Sequence, residues 1–238
     1  MNKIQLLQEL AEARRTDNQL ALTKKYRQIG EFHGGKCDAW KCISPWNKAA
    51  GNCDSPIMVI GQDWISEGAA ETAHISFELG CDPDNQTNKN LQALLLYHFG
   101  LKFSDIYGTN LFVFVKPGSL SSRIPTKDLL YSAQRYTLAE INIVNPKVVI
   151  CLGKATYNSL CRAIGTKPND FKTSVENPIA YAGSLIHGVP HTGVLGTNNA
   201  GGMAKVHEIW AKLAHNCGLK NTTSAKHVIQ QQEYLKES

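Results

Sequence analysis

The sequence predicts an α/β fold, a three-layer sandwich in which helices flank a central, mostly parallel sheet of four strands. Two observations lead to this prediction. Short, β-branched apolar runs recur along the chain, and helical patterns of ten or more residues separate them. Strands that alternate with helices of this length form parallel sheets with right-handed crossovers. The length of 238 residues suits one α/β domain with an N-terminal appendage.

Each element follows from the local hydrophobic pattern. Residues 4–30 have helical spacing with a break at 16–18, and residues 34–56 are irregular. The four predicted strands are 57–60, 107–115, 147–152 and 189–194, and the helical patterns between and after them are 89–99, 127–144, 155–164 and 204–217. We therefore expect residues 1–56 to pack on the core as N-terminal helices and an irregular segment, 57–220 to form the α/β domain, and 221–238 to form a polar tail.

Composition sets limits on the class of protein. The net charge of +5 and a pI near 8.8 permit a polyanionic partner without requiring one. No apolar run approaches the roughly 18 residues of a membrane span, and the N-terminus lacks the apolar centre of a signal peptide. We expect a cytoplasmic monomer with no membrane partner.

The seven cysteines raise the question of a metal site. Cys37, Cys42 and Cys53 cluster near His33, which could form a zinc site of three thiolates and an imidazole. Their spacings lack the paired Cys-x2-Cys pattern that identifies such sites. We expect ordinary cysteines, no metal and no cofactor.

Polar residues follow two of the predicted strands. Gly61, Gln62 and Asp63 end the first strand, and His191 lies in the last one, ahead of Gly193. Because parallel strands present their chemistry at their carboxyl ends, the carboxylate and the imidazole are expected at the same edge of the sheet.

Five segments in this order resemble motifs of the uracil-DNA glycosylase superfamily. They are Gly61-Gln62-Asp63, Thr109-Asn110-Leu111, Lys116-Pro117 with Arg123-x-Pro125, the segment 145–155, and His191-Thr192-Gly193-Val194-Leu195. The resemblance implies a glycosylase-like sheet that binds DNA and flips a base out of the duplex.

The resemblance also implies roles for individual residues. Asp63 would activate a water, although a capping role is the ordinary alternative, and His191 would donate a hydrogen bond to the leaving base, although a structural histidine is more common. The expected base-binding residues are Gln62, Trp64, Phe77 and Asn110, of which Phe77 also suits the core. The expected DNA-binding residues are Lys116, Arg123, Gly193, Leu195 and Asn198, with Leu195 as a wedge in an exposed loop.

Departures from the family pattern bear on the substrate. In uracil enzymes a tyrosine closes the pocket against substituents on C5 of the base, whereas this chain has Ile65 at that position. The expected substrate is therefore a bulky modified cytosine, hydroxymethylated or glucosylated as in phage DNA, which would make this an antiviral defence enzyme. Uracil excision in DNA repair, a non-cleaving lesion-binding module and a small-molecule nucleotide enzyme remain alternatives. We expect a monofunctional hydrolase, because the sequence places no obvious lysine nucleophile beside Asp63.

Overall fold

The computed structural model describes residues 2–218, and this part of the chain forms a five-stranded sheet of order β2-β1-β3-β5-β4. The strands are β1 (Ile57–Asp63), β2 (Tyr107–Phe112), β3 (Val148–Leu152), β4 (Ile179–Tyr181) and β5 (Ser184–Val189). All neighbouring strands are parallel except β4, which pairs antiparallel with β5 at the edge of the sheet. The predicted tail, 221–238, lies outside the described residues, as do 219 and 220.

Helices connect the strands and cover both faces of the sheet. They are α1 (Lys3–Arg15), α2 (Lys36–Ala39), α3 (Trp46–Ala49), α4 (Glu67–Ala70), α5 (His74–Leu79), α6 (Gln86–Phe99), α7 (Thr126–Ser132), α8 (Leu138–Val144), α9 (Lys154–Ala163), α10 (Val194–Asn199) and α11 (Met203–Asn216). One turn of π-helix, Ala133–Thr137, joins α7 to α8. Within residues 2–218, no helix is both long and apolar enough to cross a membrane.

Alternation along the strands creates two cores, one on each face of the sheet. Met58 and Ile60 of β1 belong to the cluster that packs against α1, α7, α8 and α9. Ile57 and Val59 belong to the opposite cluster, which packs against α6 and α11. Successive side chains of a strand point to opposite faces, so this division confirms the predicted three-layer sandwich.

The sheet has one strand more than the sequence predicts, and the last predicted strand lies earlier than 189–194. The hairpin of β4 and β5 explains both differences. Its two-residue turn, Ala182-Gly183, has positive φ at both positions, as hairpin turns that match the strand twist require. Strand β5 therefore ends at Val189, where the predicted strand was expected to begin, and Val194 begins a helix instead of ending a strand.

The N-terminal segment is helical only before the break predicted at 16–18, and the helical pattern predicted from there to residue 30 does not form a helix beyond a short 3₁₀ segment. The first helix ends at Arg15, and the chain then follows turns until a short 3₁₀ segment at Ile29–Glu31. Buried carboxylates fix these turns: Asp128 of α7 accepts hydrogen bonds from the backbone and hydroxyl of Thr23 and from the hydroxyl of Tyr26. Buried polar groups need such partners, so tertiary contacts override the local helical preference.

A buried acid joins β2 to α8. Glu140 has no exposed surface and accepts hydrogen bonds from Tyr107 Oη at 2.8 Å and from Thr109 Oγ1 at 3.0 Å. Burial raises the pKa of Glu140 to about 7, and the hydrogen bonds oppose this rise. The stability of the fold consequently depends on pH through this residue.

Candidate active site

Asp63 lies at the carboxyl end of β1, where the strand leaves the sheet. Gln62 Nε2 donates to Asp63 Oδ1 at 3.0 Å, and Lys116 Nζ forms an ion pair with Asp63 Oδ2 at 2.8 Å. The side chains of Asp63 and Lys116 are only 10% and 5% exposed. The carboxylate is therefore held in one orientation, with both oxygens engaged.

His191 lies two residues beyond β5, at the same edge of the sheet. A Cβ added to Gly153, which follows β3, would come within 3.5 Å of His191 Cβ. Since β3 lies between β1 and β5, the imidazole approaches Asp63 across the end of β3. Burial lowers the pKa of His191, the charge of Asp63 raises it, and the charge of Lys116 lowers it. The structure therefore brings the two predicted catalytic residues into one electrostatic site.

The tautomer of His191 follows from its neighbour. The backbone N–H of Gly193 donates to His191 Nδ1 at 3.0 Å. Because a backbone amide can only donate, Nδ1 must carry a lone pair, and the hydrogen of the neutral ring lies on Nε2. Burial, which lowers the pKa, favours the same neutral form. His191 is therefore a neutral hydrogen-bond donor through Nε2.

Helix α6 fixes the turn that carries His191. Thr192 Oγ1 donates to the carbonyl of Thr87 at 3.0 Å, and Asn90 Nδ2 donates to the carbonyl of Thr192 at 2.7 Å. No local sequence pattern indicates these two contacts, because they join positions more than a hundred residues apart.

Asn110 lies in β2, opposite Gly61 in the register of the sheet. Its side chain has no exposed surface, and Ser44 Oγ donates to its Oδ1 at 2.6 Å. Its Nδ2 has no hydrogen-bond partner within the described chain. The amide of Asn110 thus lies close to the predicted site, but a base can reach it only if the surrounding side chains move.

The predicted aromatic residues form a packed group beside β1. Phe77 is completely buried, and its ring centroid lies 4.7 Å from that of Trp64 and 4.4 Å from that of His33. Trp64 is half-buried and donates from Nε1 to the carbonyl of Gly80 at 3.1 Å. Ile65 is buried in the same cluster as Phe77. Phe77 is therefore a core residue, which was one of the two roles expected for it, whereas part of the Trp64 side chain remains exposed.

Leu195 is largely exposed on the predicted DNA-binding surface. Its side chain is 77% exposed, and Asn198 is exposed on the same segment, whereas Gly193 is buried. The sequence predicts a loop here, but residues 194–199 form the short helix α10. The helix forms because Gly193 has extended backbone before it and its carbonyl accepts from the N–H of Thr197 at 2.9 Å.

The cations predicted to contact DNA occupy two kinds of environment. Arg123 is exposed on the segment that leads into α7. Lys116 is buried, and its Nζ also donates to the carbonyl of Leu120 at 2.6 Å. The turn after β2 brings Lys116 into contact with Asp63, a neighbour that the sequence pattern does not reveal.

Two cavities lie away from these residues. One of about 290 Å³ lies beside α1 and is lined by Arg14 and Asp38, and one of about 160 Å³ is lined by Trp40, Cys42 and Tyr107. Asp63 and His191 line neither of them.

Comparison with known proteins agrees with this geometry. The family model of the uracil DNA glycosylase superfamily matches residues 49–214, which is more than two thirds of the chain. A search of the curated proteins finds no match. The matched range contains Asp63 at its beginning and His191 near its end, on the sheet that the superfamily resemblance implies. The chain belongs to the uracil DNA glycosylase superfamily.

Proposed function

We propose that this chain is a monofunctional DNA glycosylase, a hydrolase that cuts the N-glycosidic bond of a flipped pyrimidine and leaves an abasic site. Membership of the superfamily indicates DNA glycosylase activity and DNA as the partner. The observation that carries the proposal is the meeting of a fixed carboxylate, Asp63, with a neutral imidazole, His191, at one edge of the sheet.

Asp63 acts on the sugar. Cleavage of an N-glycosidic bond passes through a transition state in which the sugar resembles an oxocarbenium ion. A carboxylate near C1′ stabilises that charge and orients the attacking water. The contacts from Gln62 and Lys116 support this role, since they hold the carboxylate in a fixed position before the substrate binds.

His191 acts on the leaving base. As the glycosidic bond breaks, the pyrimidine leaves as an anion whose negative charge is shared by its O2 atom. The Nε2–H of neutral His191 donates a hydrogen bond to that oxygen, and such a donor stabilises charge best in a site that excludes water. The lowered pKa of His191 supports this role, because the ring stays neutral as the reaction begins.

Lys116 bears on whether the enzyme is monofunctional. A lyase would need a free amine to attack C1′ and form a Schiff base. Lys116 Nζ instead forms an ion pair with Asp63 and donates to the carbonyl of Leu120. An ammonium group engaged in this way has no free electron pair, so we expect no covalent complex on treatment with borohydride. A trapped protein–DNA adduct that Lys116→Met abolishes would contradict the monofunctional assignment.

The proposed substrate is a bulky modified cytosine, hydroxymethylated or glucosylated as in phage DNA, and the proposed role is antiviral defence. Ile65 replaces the residue that closes the pocket of uracil enzymes, and it is 6% exposed within a separate apolar cluster. Its side chain is therefore engaged in packing beside β1, which supports space for a substituent on C5 of the base.

The proposed DNA surface surrounds this edge of the sheet. Leu195 fills the space that the flipped nucleotide leaves in the stack. Arg123, before α7, and Asn198, on α10, contact the phosphates on either side. The exposure of Leu195, Arg123 and Asn198 supports these roles.

Base release from defined duplexes tests the proposal. Duplexes carry uracil, 5-hydroxymethylcytosine or its glucoside, and abasic sites are counted by alkaline cleavage. We expect release of a modified cytosine, and a loss of about 10²- to 10⁴-fold in Asp63→Asn. Asp54→Asn, at a side chain that is 82% exposed, serves as the control. Release of uracil alone would contradict the bulky-base assignment and favour repair.

One observation favours a second function, a lesion-binding module that does not cleave. Both oxygens of Asp63 are already engaged by protein groups, which limits their access to a water molecule. In that case the purified protein binds modified duplexes, Asp63→Asn leaves this binding intact, and no abasic sites form.

A further inference from the structure

Ser44 determines which way the amide of Asn110 faces. The contact between Ser44 Oγ and the Asn110 oxygen measures 2.6 Å. This length is normal for O–H···O hydrogen bonds and shorter than the usual range for N–H···O. Ser44 also accepts from the backbone N–H of Trp46 at 3.3 Å, so its single hydrogen is the one that donates to Asn110. The Asn110 amide therefore turns its Oδ1 toward Ser44 and its Nδ2 away.

The segment that carries Ser44 is fastened to the edge of the sheet. Asn47 Nδ2 donates to the carbonyl of Gly108 at 2.8 Å, and Asn47 Oδ1 accepts from the backbone N–H of Ser44 at 3.0 Å. Ser44 is 1% exposed. These contacts hold its hydroxyl at one place against β2, so the orientation of the Asn110 amide is fixed by the fold.

The free N–H groups of Asn110 lie over Gly61, next to the ring of Trp46. A Cβ added to Gly61 would lie 2.7 Å from Asn110 Nδ2 and 3.2 Å from the ring of Trp46. Gly61 and Asp63 lie on the same face of β1, since they are two residues apart. The unpartnered donors are thus on the face of the sheet that carries the catalytic carboxylate.

An unpartnered buried donor calls for a physical reason. Asn110 Nδ2 is completely buried and has no partner within the described residues, which costs free energy unless a ligand supplies an acceptor. Cytosine presents such an acceptor at N3. Uracil carries a hydrogen at N3, which would set a donor against the free N–H groups of Asn110 and leave them without an acceptor at that position.

We propose that Ser44 is a specificity-determining positioning residue, which makes the site accept a pyrimidine with an acceptor at N3 and disfavour one with N3–H. This inference rests on the proposed function and deepens it, because it explains how a cytosine derivative is preferred over the corresponding uracil. Sites built to hydrogen-bond one edge of a ligand discriminate strongly against the mismatched edge. Trp46, whose ring packs over Gly61, moves aside when the base enters.

Ser44 and Trp46 both precede residue 49, where the family match begins. The determinant is therefore supplied by the N-terminal segment of this chain, outside the matched range. The C5 substituent does not alter N3, so the same reading applies to cytosine, hydroxymethylcytosine and its glucoside.

Competitive binding tests the inference without requiring catalysis. The probes are two duplexes with 2′-fluorinated nucleotides, which resist glycosidic cleavage, carrying either 5-hydroxymethylcytosine or 5-hydroxymethyluracil opposite guanine. We expect the wild type to prefer the cytosine probe and Ser44→Ala to reduce that preference about tenfold. Ser44→Thr, which keeps the hydroxyl, restores it. The cost of flipping each base cancels when variants are compared on the same two probes.

The controls separate this role from a structural one. Ser184→Ala removes another buried hydroxyl, which donates to the carbonyl of Pro146 at 2.5 Å, and should leave the preference unchanged. Ser44→Cys keeps the packing but donates weakly, so it replaces Ser44→Ala if the alanine variant does not fold. An unchanged preference in the folded Ser44 variants, or an equal change in Ser184→Ala, would overturn the inference.

The outcomes also distinguish this inference from the proposed function. If the wild type releases no base but its binding preference depends on Ser44, the proposed hydrolysis fails and the inference stands. If the wild type releases modified cytosine and its binding preference ignores Ser44, the proposed function stands and the inference fails.

Discussion

The ion pair between Lys116 and Asp63 should appear as a large coupling energy in a double-mutant cycle. The variants are Lys116→Met, which keeps the length of the side chain, Asp63→Asn, and the two together. At the 2.8 Å between Nζ and Oδ2, Coulomb's law with an effective dielectric constant of about 20 gives about 6 kcal/mol. Desolvation of two nearly buried charges offsets most of this attraction.

We therefore expect Lys116→Met alone to lower the free energy of unfolding by about 3 kcal/mol, because it leaves the nearly buried Asp63 carboxylate without its positively charged partner. Adding Asp63→Asn should restore part of that loss, with a coupling energy of about 2 kcal/mol. Urea titrations of the four proteins at pH 7 measure it. The exposed pair Lys212–Glu176, at 3.0 Å, is the control and should show less than about 1 kcal/mol. Additivity at the Lys116–Asp63 pair to within about 0.5 kcal/mol would refute the reasoning.

Four further predictions concern DNA binding and pH. Leu195→Ala should leave the free energy of unfolding within about 0.5 kcal/mol of wild type and raise the Kd for a cleavage-resistant duplex about tenfold; an unchanged Kd would exclude a wedge. Arg123→Gln should reduce the slope of log K against log salt by about 1, as loss of one phosphate contact does, and an unchanged slope would remove Arg123 from the interface. Excision should fall at acidic pH as His191 gains a proton, and because its pKa is lowered, this fall should begin below the ordinary value of 6.5; a fall centred above 6.5 would contradict the neutral role. Glu140 has a folded-state pKa raised from 4.5 to about 7, so the folded state binds the extra proton between these values and stability is lost as pH rises. Urea titrations should show the stability of wild type relative to Glu140→Gln falling by about 3 kcal/mol from pH 4.5 to pH 7, and a constant difference would contradict it.

The parts of the fold that depend on local pattern could be predicted from the sequence. The run from Ile57 ends in Gly61, Gln62 and Asp63, and a strand that stops at polar residues predicts a site at its carboxyl end. The helix at 203–216 likewise has the spacing of an amphipathic helix with one buried side. These elements need no knowledge of their partners to form.

The contacts that complete the site depend on distant partners and could not be predicted. The meeting of Lys116 with Asp63 depends on the turn after β2, and that of Ser44 with Asn110 depends on a segment with little regular structure. Strand β5 was placed too late because His187 and Gly188 interrupt its apolar pattern. His187 is nevertheless buried, and its Nδ1 pairs with the carbonyl of Val175 at 3.2 Å.

The anchoring of Asp128 limits how far this protein can be shortened. All three hydrogen bonds described for this carboxylate come from Thr23 and Tyr26, well before the start of the matched range at residue 49. A fragment trimmed to that range would leave the buried Asp128 carboxylate without these hydrogen-bond donors. It would also lack Ser44 and Trp46. We therefore expect a fragment that begins upstream of Thr23 to be more stable than one trimmed to the matched range.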